Sequence, residues 1–465
     1  LGGCGALREL NLSNNRFSGS IPASLVKLRQ LLVLRLGYNE LTGAIPAELG
    51  DLDRLQRIDL NRNMLEGEIP ISLCNLASLQ ELYVHDNQLT GRIPAEISRL
   101  SELSMVSLGR NRLHGRLPAE LFTLPRLRIL GLYDNEFSGS LSPAVGNLVN
   151  LTHLSMYENQ FEGELPDELY TLANLRHLKL SNNHFSGEIS SAIGELGHLT
   201  HLWLDENDFS GSLPDELAGM DSLAVIDVNG NRFTHFPDIS SFSSLRTLQL
   251  QNNCLTFGDI EPNMSVASYF YGYAPQDSLG SKRDTTLTAG RPFQLHVEVD
   301  GTANHYQWQR NGVDLAARNT ATLTLLAVSA ADTGSYVCRI TNSIAVDLTL
   351  YTRPVHLAID GITAAESAPA VLPDHFSLEQ NYPNPFNPET RIIYRLPRPS
   401  QVGLGIYNLQ GRCIRLLVHS HQEAGLHSVV WDGCDDHGVK MSSDIYFYRI
   451  KAGDFSAVRK MVLLQ

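Results

Sequence analysis

Asparagines recur at a fixed spacing of 24 residues along the first half of this chain. They are Asn15, Asn39, Asn63, Asn87, Asn111, Asn135, Asn159, Asn183, Asn207 and Asn231, and Asn253 follows after a slightly shortened step. The same frame surrounds each of them: Leu10, Leu12, Phe17, Gly19, Ile21 and Pro22 return as Leu34, Leu36, Leu41, Gly43, Ile45 and Pro46. A period in this range indicates a stack of structural repeats and disfavours a globular enzyme core.

Each position of the frame has a physical reason. The two leucines alternate, so they lie on one face of a short strand and point into the stack. The asparagine side chain can donate and accept, so we expect it to pair backbone groups of neighbouring turns that would otherwise be buried without a partner. The glycine allows a tight backbone path, and the proline fixes an extended turn. A second apolar set, which is Leu25, Leu28 and Leu31 in the first unit, is expected to fill the convex side.

The frame resembles the leucine-rich repeat family, in its plant-type subclass with the Leu-x-Gly-x-Ile-Pro consensus. The resemblance covers residues 1–257 in eleven units, and it implies a solenoid with a parallel concave β-sheet and convex loops and short helices. The frame weakens near its end, where Ser142 and Ser190 replace the proline and residues 234–237 lack the glycine. We interpret residues 233–257 as a terminal, partly capping repeat. Because the chain opens inside a repeat, we expect that the start of the protein is missing.

Residues 258–277 are predicted to form a cap and a joint. They include Asn263-Met264-Ser265 and the aromatic run Tyr269-Phe270-Tyr271-Gly272-Tyr273. Because an exposed cluster this apolar would be a liability, the run is interpreted as packing over the last repeat. A ligand platform is the alternative.

Residues 278–358 resemble an immunoglobulin-like sandwich. The motifs that show the resemblance are Tyr306-Gln307-Trp308 with Asn311-Gly312, Leu323-Thr324-Leu325, and Asp332-Thr333-Gly334-Ser335-Tyr336-Val337-Cys338. The resemblance implies that Trp308 is the buried tryptophan of strand C and that Tyr336 forms the tyrosine corner. The first cysteine of the usual pair is missing, because its position falls near Val297. Cys338 is therefore expected to be a small buried hydrophobe, with a reactive thiol as the alternative.

Residues 376–465 resemble the C-terminal sorting domain of bacterial type IX secretion cargo, a small all-β sandwich. The ordered motifs are Gln380-Asn381-Tyr382-Pro383-Asn384-Pro385-Phe386-Asn387-Pro388, Leu404-Gly405-Ile406-Tyr407-Asn408, Trp431-Asp432-Gly433, Tyr446-Phe447-Tyr448 and Arg459-Lys460-Met461-Val462-Leu463. The flagellar hook-capping immunoglobulin-like module shares much of this pattern, so a purely structural sandwich is the alternative. The sorting resemblance implies export by outer-membrane machinery and cleavage in the small, polar linker predicted at residues 359–375.

The six cysteines are scattered without a Cys-x-x-Cys motif, which argues against a zinc site and against a disulfide framework. Cys413 and Cys434 fall in one sandwich, and a bridge between them is left open because the sequence does not fix their distance. No apolar run approaches the ~20 residues that a membrane-spanning helix needs. We expect no cofactor.

The net charge of −14 is unevenly distributed. Residues 1–130 hold 15 Lys and Arg against 13 Asp and Glu, whereas residues 131–257 hold 4 against 17. Such a surface is a poor partner for nucleic acid. The acidic half is interpreted as a soluble exterior, and a cationic ligand, a basic protein surface or Ca²⁺ is the alternative.

Side chains that flank the strand leucines are expected to face the concave, solvent side, because side chains alternate along a strand. In the first half this face holds Arg35, Tyr38, Arg57, Arg62, Tyr83, His85 and Arg110. In the second half it holds the ten residues of what we call the predicted concave site: Tyr133, Asp134, His153, Tyr157, Glu158, His177, His201, Trp203, Asp205 and Glu206. Exposed aromatic rings among carboxylates are typical of surfaces that anchor peptides or sugars, and a concave sheet is a solenoid's usual recognition surface. An ordinary solvated sheet face is the alternative.

His153, His177 and His201 form one column of this site. Neighbouring strands stand ~4.8 Å apart, so adjacent imidazoles can meet, but the outer two are too distant for all three to bind one ion with ~2.1 Å bonds. Two of the histidines with Asp205 or Glu158 would be a feasible metal site. A ladder without metal is favoured, and we predict no metal ion.

The sequence lacks the nucleophile-elbow, zinc-protease and phosphate-loop motifs. The pairs Asp167-Glu168 and Asp215-Glu216 recur at one convex position of their repeats, so they are interpreted as solvated residues. The protein is therefore predicted not to be an enzyme.

We expect an exported bacterial recognition protein, secreted or held at the outer-membrane surface, that binds a protein or glycan in adhesion or cell contact. The alternatives are a fragment of an exported enzyme whose catalytic domain precedes residue 1, and a structural component of a surface layer.

Overall fold

The computed structural model describes residues 5–360, 375–386, 389–435 and 439–463. A solenoid built around a long parallel sheet comes first, and all-β sandwiches whose strands pair mostly antiparallel follow it. This confirms the predicted fold class. Asn387-Pro388 of the predicted sorting motif, together with Cys4 and residues 361–374 of the predicted linker, lie outside the described residues.

The solenoid is made of short strands with one inner strand in each repeat. In chain order the strands are β1 (Glu9–Asn11), β2 (Ser18–Ser20), β3 (Val33–Arg35), β4 (Glu40–Gly43), β5 (Arg57–Asp59), β6 (Met64–Glu68), β7 (Glu81–Tyr83), β8 (Gln88–Thr90), β9 (Met105–Ser107), β10 (His114–Gly115), β11 (Ile129–Gly131), β12 (Glu136–Gly139), β13 (His153–Ser155), β14 (Gln160–Gly163), β15 (His177–Lys179), β16 (His184–Gly187), β17 (His201–Trp203), β18 (Asp208–Ser212), β19 (Val225–Asp227), β20 (Arg232–His235), β21 (Thr247–Gln249) and β22 (Phe270–Gly272).

The inner strands, which are the odd-numbered ones from β1 to β21 together with β22, form one parallel concave sheet of twelve strands within the described residues. The even-numbered strands up to β20 form two lateral sheets, one of β2 to β8 and one of β10 to β20. Five-residue 3-10 helices lie on the convex side over Ala23–Lys27, Ala47–Asp51, Ile71–Asn75, Ala95–Arg99, Ala119–Thr123, Pro143–Asn147, Asp167–Thr171, Ser191–Glu195 and Asp215–Gly219.

The asparagine of each repeat joins adjacent turns through its side chain. Asn183 Nδ2 donates to the carbonyls of Met156 and Leu180, both at 3.0 Å, and its Oδ1 accepts from the backbone N of Phe161 at 2.9 Å. The same pattern runs from Asn39 to Asn253. The predicted pairing of buried backbone groups is therefore confirmed.

The apolar position after the asparagine becomes a stacked column in the second half of the solenoid. The rings of Phe137, Phe161, Phe185, Phe209 and Phe233 are buried, with neighbouring centroids 5.9 to 6.3 Å apart. Where serine replaces the frame proline, Ser142 and Ser190 cap the next 3-10 helix, because each hydroxyl accepts from the backbone N two residues later. The weaker frame at these two repeats therefore keeps the same turn.

The solenoid ends in a cap formed by α1 (Phe257–Ile260), a 3-10 helix at Glu261–Asn263, and β22. Asp259 accepts from the backbone N of Phe236, and Asn263 accepts from that of Ile239, so these two side chains continue the role of the asparagine ladder. Strand β22 pairs with β21 as a twelfth inner strand. Residues 233–256 thus precede the cap and contribute the inner strand β21, and only Phe257 of the predicted partly capping repeat belongs to the cap.

The aromatic run of the cap divides into two halves. Tyr271 is half-buried and Tyr273 buried, and their ring centroids are 5.1 Å apart, as expected for packing over the last repeat. Tyr269 is 87% exposed and Phe270 is 44% exposed. The packing prediction was wrong for these two residues, because a strand at the edge of the sheet leaves one side without a neighbour.

The immunoglobulin-like sandwich follows the cap, and residues of both share one hydrophobic core. Its strands are β23 (Arg283–Thr288), β24 (Phe293–His296), β25 (Asn304–Arg310), β26 (Val313–Asp314), β27 (Thr322–Leu325), β28 (Gly334–Asn342), β29 (Thr349–Tyr351) and β30 (Val355–Asp360), with a 3-10 helix at Ala330–Asp332. Strand β30 ends at Asp360, so residues 359 and 360 belong to the sandwich and not to the predicted linker.

The motifs of this sandwich lie where the resemblance placed them. Trp308 is 3% exposed and pairs across the sheet with Cys338. The Tyr336 hydroxyl donates to the carbonyl of Asp332 at 2.7 Å, which is the tyrosine corner. Cys338 is buried and unpaired, and Val297 is buried as well. The prediction of a thiol without a disulfide partner is confirmed.

The last sandwich has its own hydrophobic core. Its strands are β31 (Ser377–Leu378), β32 (Thr390–Leu396), β33 (Ser400–Tyr407), β34 (Cys413–Gln422), β35 (Gly425–Trp431), β36 (Asp444–Ala452) and β37 (Phe455–Leu463). The Tyr448 hydroxyl accepts from the backbone N of Asn381 and donates to the carbonyl of Glu379, which fastens the start of the domain to β36. Cys413 and Cys434 are free thiols, so the bridge left open by the sequence is not formed.

Candidate functional site

The three histidines of the predicted column stack on one another across strands β13, β15 and β17. His153 pairs in register with His177, and His177 with His201. Their ring centroids are 4.2 and 4.4 Å apart. We call this group the histidine ladder. Burial and the two flanking imidazoles lower the pKa of His177 to about 4, so the middle ring is neutral at physiological pH.

Threonine hydroxyls fix the tautomers of the two outer rings. The Thr152 hydroxyl donates to the carbonyl of Arg128 at 2.9 Å, so its oxygen can only accept from His153 Nδ1 at 2.8 Å. Thr200 does the same between Arg176 and His201, at 3.0 and 2.9 Å. In the neutral rings Nδ1 therefore carries the proton and Nε2 is left as an acceptor.

Trp203 lies beside the last ring of the histidine ladder, and two neighbouring side chains contact its indole ring. Its ring lies 4.8 Å from that of His201, and the Lys179 ammonium lies 4.1 Å from its centroid. Burial lowers the pKa of Lys179. A cation over an indole face is attracted by the ring quadrupole, so Lys179 and Trp203 hold each other in place.

Three carboxylates lie where the strands of this region end. We call Asp205, Glu206 and Asp227 the acidic group. Burial raises the pKa of each, and in Asp227 burial followed by the Asp205 charge raises it to about 6. Asp205 accepts a hydrogen bond from the Ser181 hydroxyl, and Asp227 accepts one from the Gln249 amide. Within the described part of the chain no Lys or Arg forms an ion pair with any of the three.

Tyr133 and Tyr157 form a second aromatic pair on the same face. Their rings are stacked with centroids 4.9 Å apart and planes 9° from parallel. Asp134 and Glu158 follow them at the turns, in the left-handed backbone conformation at φ 54°. Arg110 reaches Asp134 at 3.6 Å, so this carboxylate, unlike the acidic group, has a cationic partner.

The first half of the concave face is already paired with itself. Arg57 contacts Glu81 at 2.7 Å and lies 4.7 Å from the Tyr83 ring, and Arg62 lies at the same distance from the Tyr38 ring. His85 contacts the side chains of Asn61 and Ser107, both at 3.0 Å. The remaining predicted cations, Arg35 and Arg110, form ion pairs with Glu9, Asp86 and Asp134. Each of these arginines has an ion-pair partner within the protein, which leaves the second half as the better candidate surface.

The structure therefore brings together most of the predicted concave site on the inner strands β11, β13, β15 and β17 and on the turns that follow them. Sequence reasoning missed Lys179 and Asp227, although each lies one 24-residue period from Trp203 in the same column. It also missed Thr152 and Thr200, which set the tautomers. Among the described residues, no group of three His, Cys, Asp or Glu side chains is placed to hold a metal ion.

The convex acidic pairs lie apart from this surface. Asp167 and Glu168 start one 3-10 helix, and Asp215 and Glu216 start another, with all four side chains exposed. No helix among the described residues is long and apolar enough to cross a membrane.

Comparison with known protein families agrees with this architecture. Models described as leucine rich repeat match residues 5–65, 78–100, 150–172, 174–196 and 198–220. The immunoglobulin domain model matches residues 277–342. The chain thus contains leucine-rich repeats and an immunoglobulin-like domain. No match was found among curated proteins.

Two solved structures show the solenoid in receptors. The plant peptide hormone receptor RGFR1 in complex with RGF2 has 31% identity and a TM-score of 0.57, covering 61% of this chain and 46% of that one. A TDR receptor has 33% identity and a TM-score of 0.57, covering 62% and 49%. The chain therefore spans about half the length of these receptor structures. The chain is thus similar over part of its length to a plant peptide hormone receptor and to a TDR receptor.

Proposed function

We propose that this protein is a recognition protein that binds a peptide or protein segment along the concave face between Tyr133 and Glu206. The observation that supports it most is the arrangement of the predicted concave site itself. Stacked rings and half-buried charges are held in register by adjacent strands, and rigid side chains lose less entropy on binding. The likeness to a peptide hormone receptor bound to RGF2 supports a peptide over a glycan.

The site supports binding and not chemistry. Among the described residues of the site, the pKa values that shift furthest are those of His177, which is held by stacking, and Asp227, which is bonded to the Gln249 amide. We propose accordingly that the described chain is not an enzyme. Shifted pKa values can arise from such structural networks as well as from catalysis.

A screen of immobilised full chain against a library of secreted peptides, with a glycan array in parallel, tests the proposed function. Binding of the ligand found is then compared between the wild type and variants altered on the concave face, and a loss of binding in those variants identifies the surface. Ligands recovered only from the glycan array, or ligands unaffected by concave substitutions, would count against a peptide site.

We further propose that the protein is bacterial and that residues 376–465 direct its export and display. The ordered sequence motifs support this, together with the sandwich that holds Asn381, Trp431 and Tyr448 in its core. Deletion of residues 376–465 is expected to leave the protein in the periplasm. Unchanged appearance outside the cell would indicate a structural module.

A further inference from the structure

Basic side chains in the acidic half of the solenoid gather beside the histidine ladder. Residues 131–257 contain four Lys and Arg in all, and Arg232 is ion-paired with Asp208 on the lateral side. The others are Arg176 and Lys179, at the two ends of β15, and Arg246, just before β21. Within the described residues none of these three has an ion pair. A local excess of positive charge thus lies on a face whose far edge holds the acidic group.

The ladder adds three groups that can gain positive charge at the same place. Lys179 and Arg176 lie close enough to influence the charge of His153 and His177, and Lys179 and Arg246 that of His201. The outer rings have Nδ1–H bound to threonine, so a proton gained by either ring goes to Nε2 and turns that acceptor into a donor. An anion that contacts the ladder would favour this protonation, since an opposite charge nearby stabilises the charged imidazole.

We propose that the histidine ladder, Lys179 and Arg176 form a subsite for a carboxylate of the bound peptide, and that binding of the carboxylate is coupled to uptake of a proton from solvent at a ladder Nε2. This deepens the proposed function and rests on it. The half-exposed rings leave Nε2 without a hydrogen bond to any described residue. Imidazolium, ammonium and guanidinium are each suited to carboxylate, since charge-assisted hydrogen bonds are the strong ones.

Other charged groups also face the histidine ladder, and their effect on carboxylate binding has to be distinguished from that of the ladder. Arg128 and Arg246 influence the outer rings, and Trp203 and Ser155 lie in the adjoining column without charge. Asp227 has a pKa raised to about 6 and also loses its charge on acidification. A fall in pH alone therefore does not identify the ladder, and a ladder variant is needed.

The probe is a capped hexaglutamate peptide titrated calorimetrically into the full chain, with capped hexalysine as the charge-reversed probe. The net charge of −14 repels hexaglutamate, so binding would have to come from a local site. We expect hexaglutamate to bind, with affinity rising as the pH falls from 7.5 to 5.5. Titrations in two buffers of different ionisation enthalpy should show net proton uptake.

The variants Lys179→Met and Lys27→Met form a matched pair, because Lys27 is exposed on a convex 3-10 helix. We expect Lys179→Met to weaken hexaglutamate binding about tenfold and Lys27→Met to leave it unchanged. The double variant His153→Phe/His201→Phe keeps both outer rings in the stack and should remove most of the proton uptake, which the structure places at their Nε2 atoms. Thermal melting of each variant establishes that it is folded.

Equal weakening by Lys179→Met and Lys27→Met would show general electrostatics and overturn the subsite. Absence of hexaglutamate binding, or proton uptake unchanged in His153→Phe/His201→Phe, would overturn it as well. Tighter binding of hexalysine that depends on Asp205 would indicate a cationic ligand group instead. None of these results would remove the proposed function, which is tested by the screened ligand and concave variants.

Discussion

The Glu261 carboxylate in the cap of the solenoid accepts two hydrogen bonds from Thr302 of the immunoglobulin-like sandwich, from the backbone N at 2.9 Å and from the hydroxyl at 2.8 Å. Asn342 donates to the same carboxylate. Nearby, the Tyr273 hydroxyl donates to Asp347 at 3.1 Å. The two domains are therefore joined by a bonded contact as well as by shared core residues, and the sandwich is more than a flexible spacer.

Glu261→Ala should loosen this joint. Hydrogen bonds to a charged group contribute about 1.5–3 kcal/mol each in favourable cases, so we expect a loss of roughly 2–4 kcal/mol of coupling, since the effects are not additive. Small-angle scattering should show a larger maximum dimension. Glu298→Ala is the control, because Glu298 is exposed on the same sandwich. Identical scattering curves for the two variants would contradict the joint.

The same contact predicts a dependence on pH. Burial opposes ionisation of Glu261, but the bonds from Thr302 and Asn342 outweigh it and lower the pKa of this carboxyl. A lowered folded-state pKa gives stability that is present above the unfolded pKa and is lost as the pH falls through the folded one. The joint should therefore loosen only in acid, and wild-type scattering at low pH should approach that of Glu261→Ala at neutral pH.

Asn183→Ala should destabilise the solenoid strongly. The substitution leaves the backbone N of Phe161 without its partner inside the stack, at about 1–3 kcal/mol for an unsatisfied group. It also removes one of the two asparagine bonds to each of the carbonyls of Met156 and Leu180, at about 0.5–1.5 kcal/mol for each bond. We expect a total of roughly 3–5 kcal/mol by urea denaturation. Asn174→Ala removes a single exposed bond to the Val149 carbonyl and should cost under about 1 kcal/mol. Comparable urea midpoints for both variants would show that the asparagine ladder contributes little to the stability of the solenoid.

Cys338 is predicted to behave as a packing residue. Burial raises the pKa of its thiol to about 12, so alkylation at pH 8 should modify the exposed Cys413 and spare Cys338. Cys338→Ala should cost about 1–2 kcal/mol, less than the ~2–5 kcal/mol of removing a native disulfide. Mass spectrometry of the labelled, folded chain makes the measurement. Rapid labelling of Cys338 would point to a reactive thiol.

The histidine ladder predicts lower stability in mild acid. His177 has a folded pKa of about 4, below its ordinary value near 6.5, so the unfolded chain binds the proton more tightly. Stability should then fall as the pH drops from about 6.5 towards 4. His177→Gln should make the melting temperature less dependent on pH over this interval. The exposed His184→Gln is the control, and an equal flattening there would contradict the assignment.

Concave anchors should matter for ligand binding and convex residues should not. Trp203→Ala and Tyr157→Ala are each expected to weaken binding of the screened ligand by roughly 1–3 kcal/mol, as truncations of buried aromatic anchors do. Trp203→Ala also releases Lys179, which lies over the indole. The convex variants Glu168→Ala and Glu216→Ala should bind like the wild type, with melting curves run in parallel. Similar losses on both faces would place the site elsewhere.

Much of the fold follows from the sequence because each repeat contacts its neighbours at a constant offset. The side-chain bonds of Asn183 reach 22 and 27 residues back, and the repeats from Asn39 to Asn231 use the same offsets, so one frame specifies them. In the shortened last repeat the bonds of Asn253 reach 20 and 25 residues back. The buried phenylalanines and the glycines at φ 74–83° obey the same period. The immunoglobulin-like motifs placed Trp308 and Tyr336 correctly for a similar reason, since their partners lie close in sequence or directly across one sheet.

The sequence by itself determined which residues share the concave face, because alternation and period assign each position to a side of the turn. It did not determine which of those residues satisfy one another. That Arg57 is neutralised by Glu81, that Lys179 rests on Trp203, and that Thr152 fixes the tautomer of His153 depend on rotamers and on distances between strands. The bond from Thr302 to Glu261 spans 41 residues and joins two domains with different periods. Only tertiary structure decided it, because no repeat encodes the angle at which one domain packs against the next.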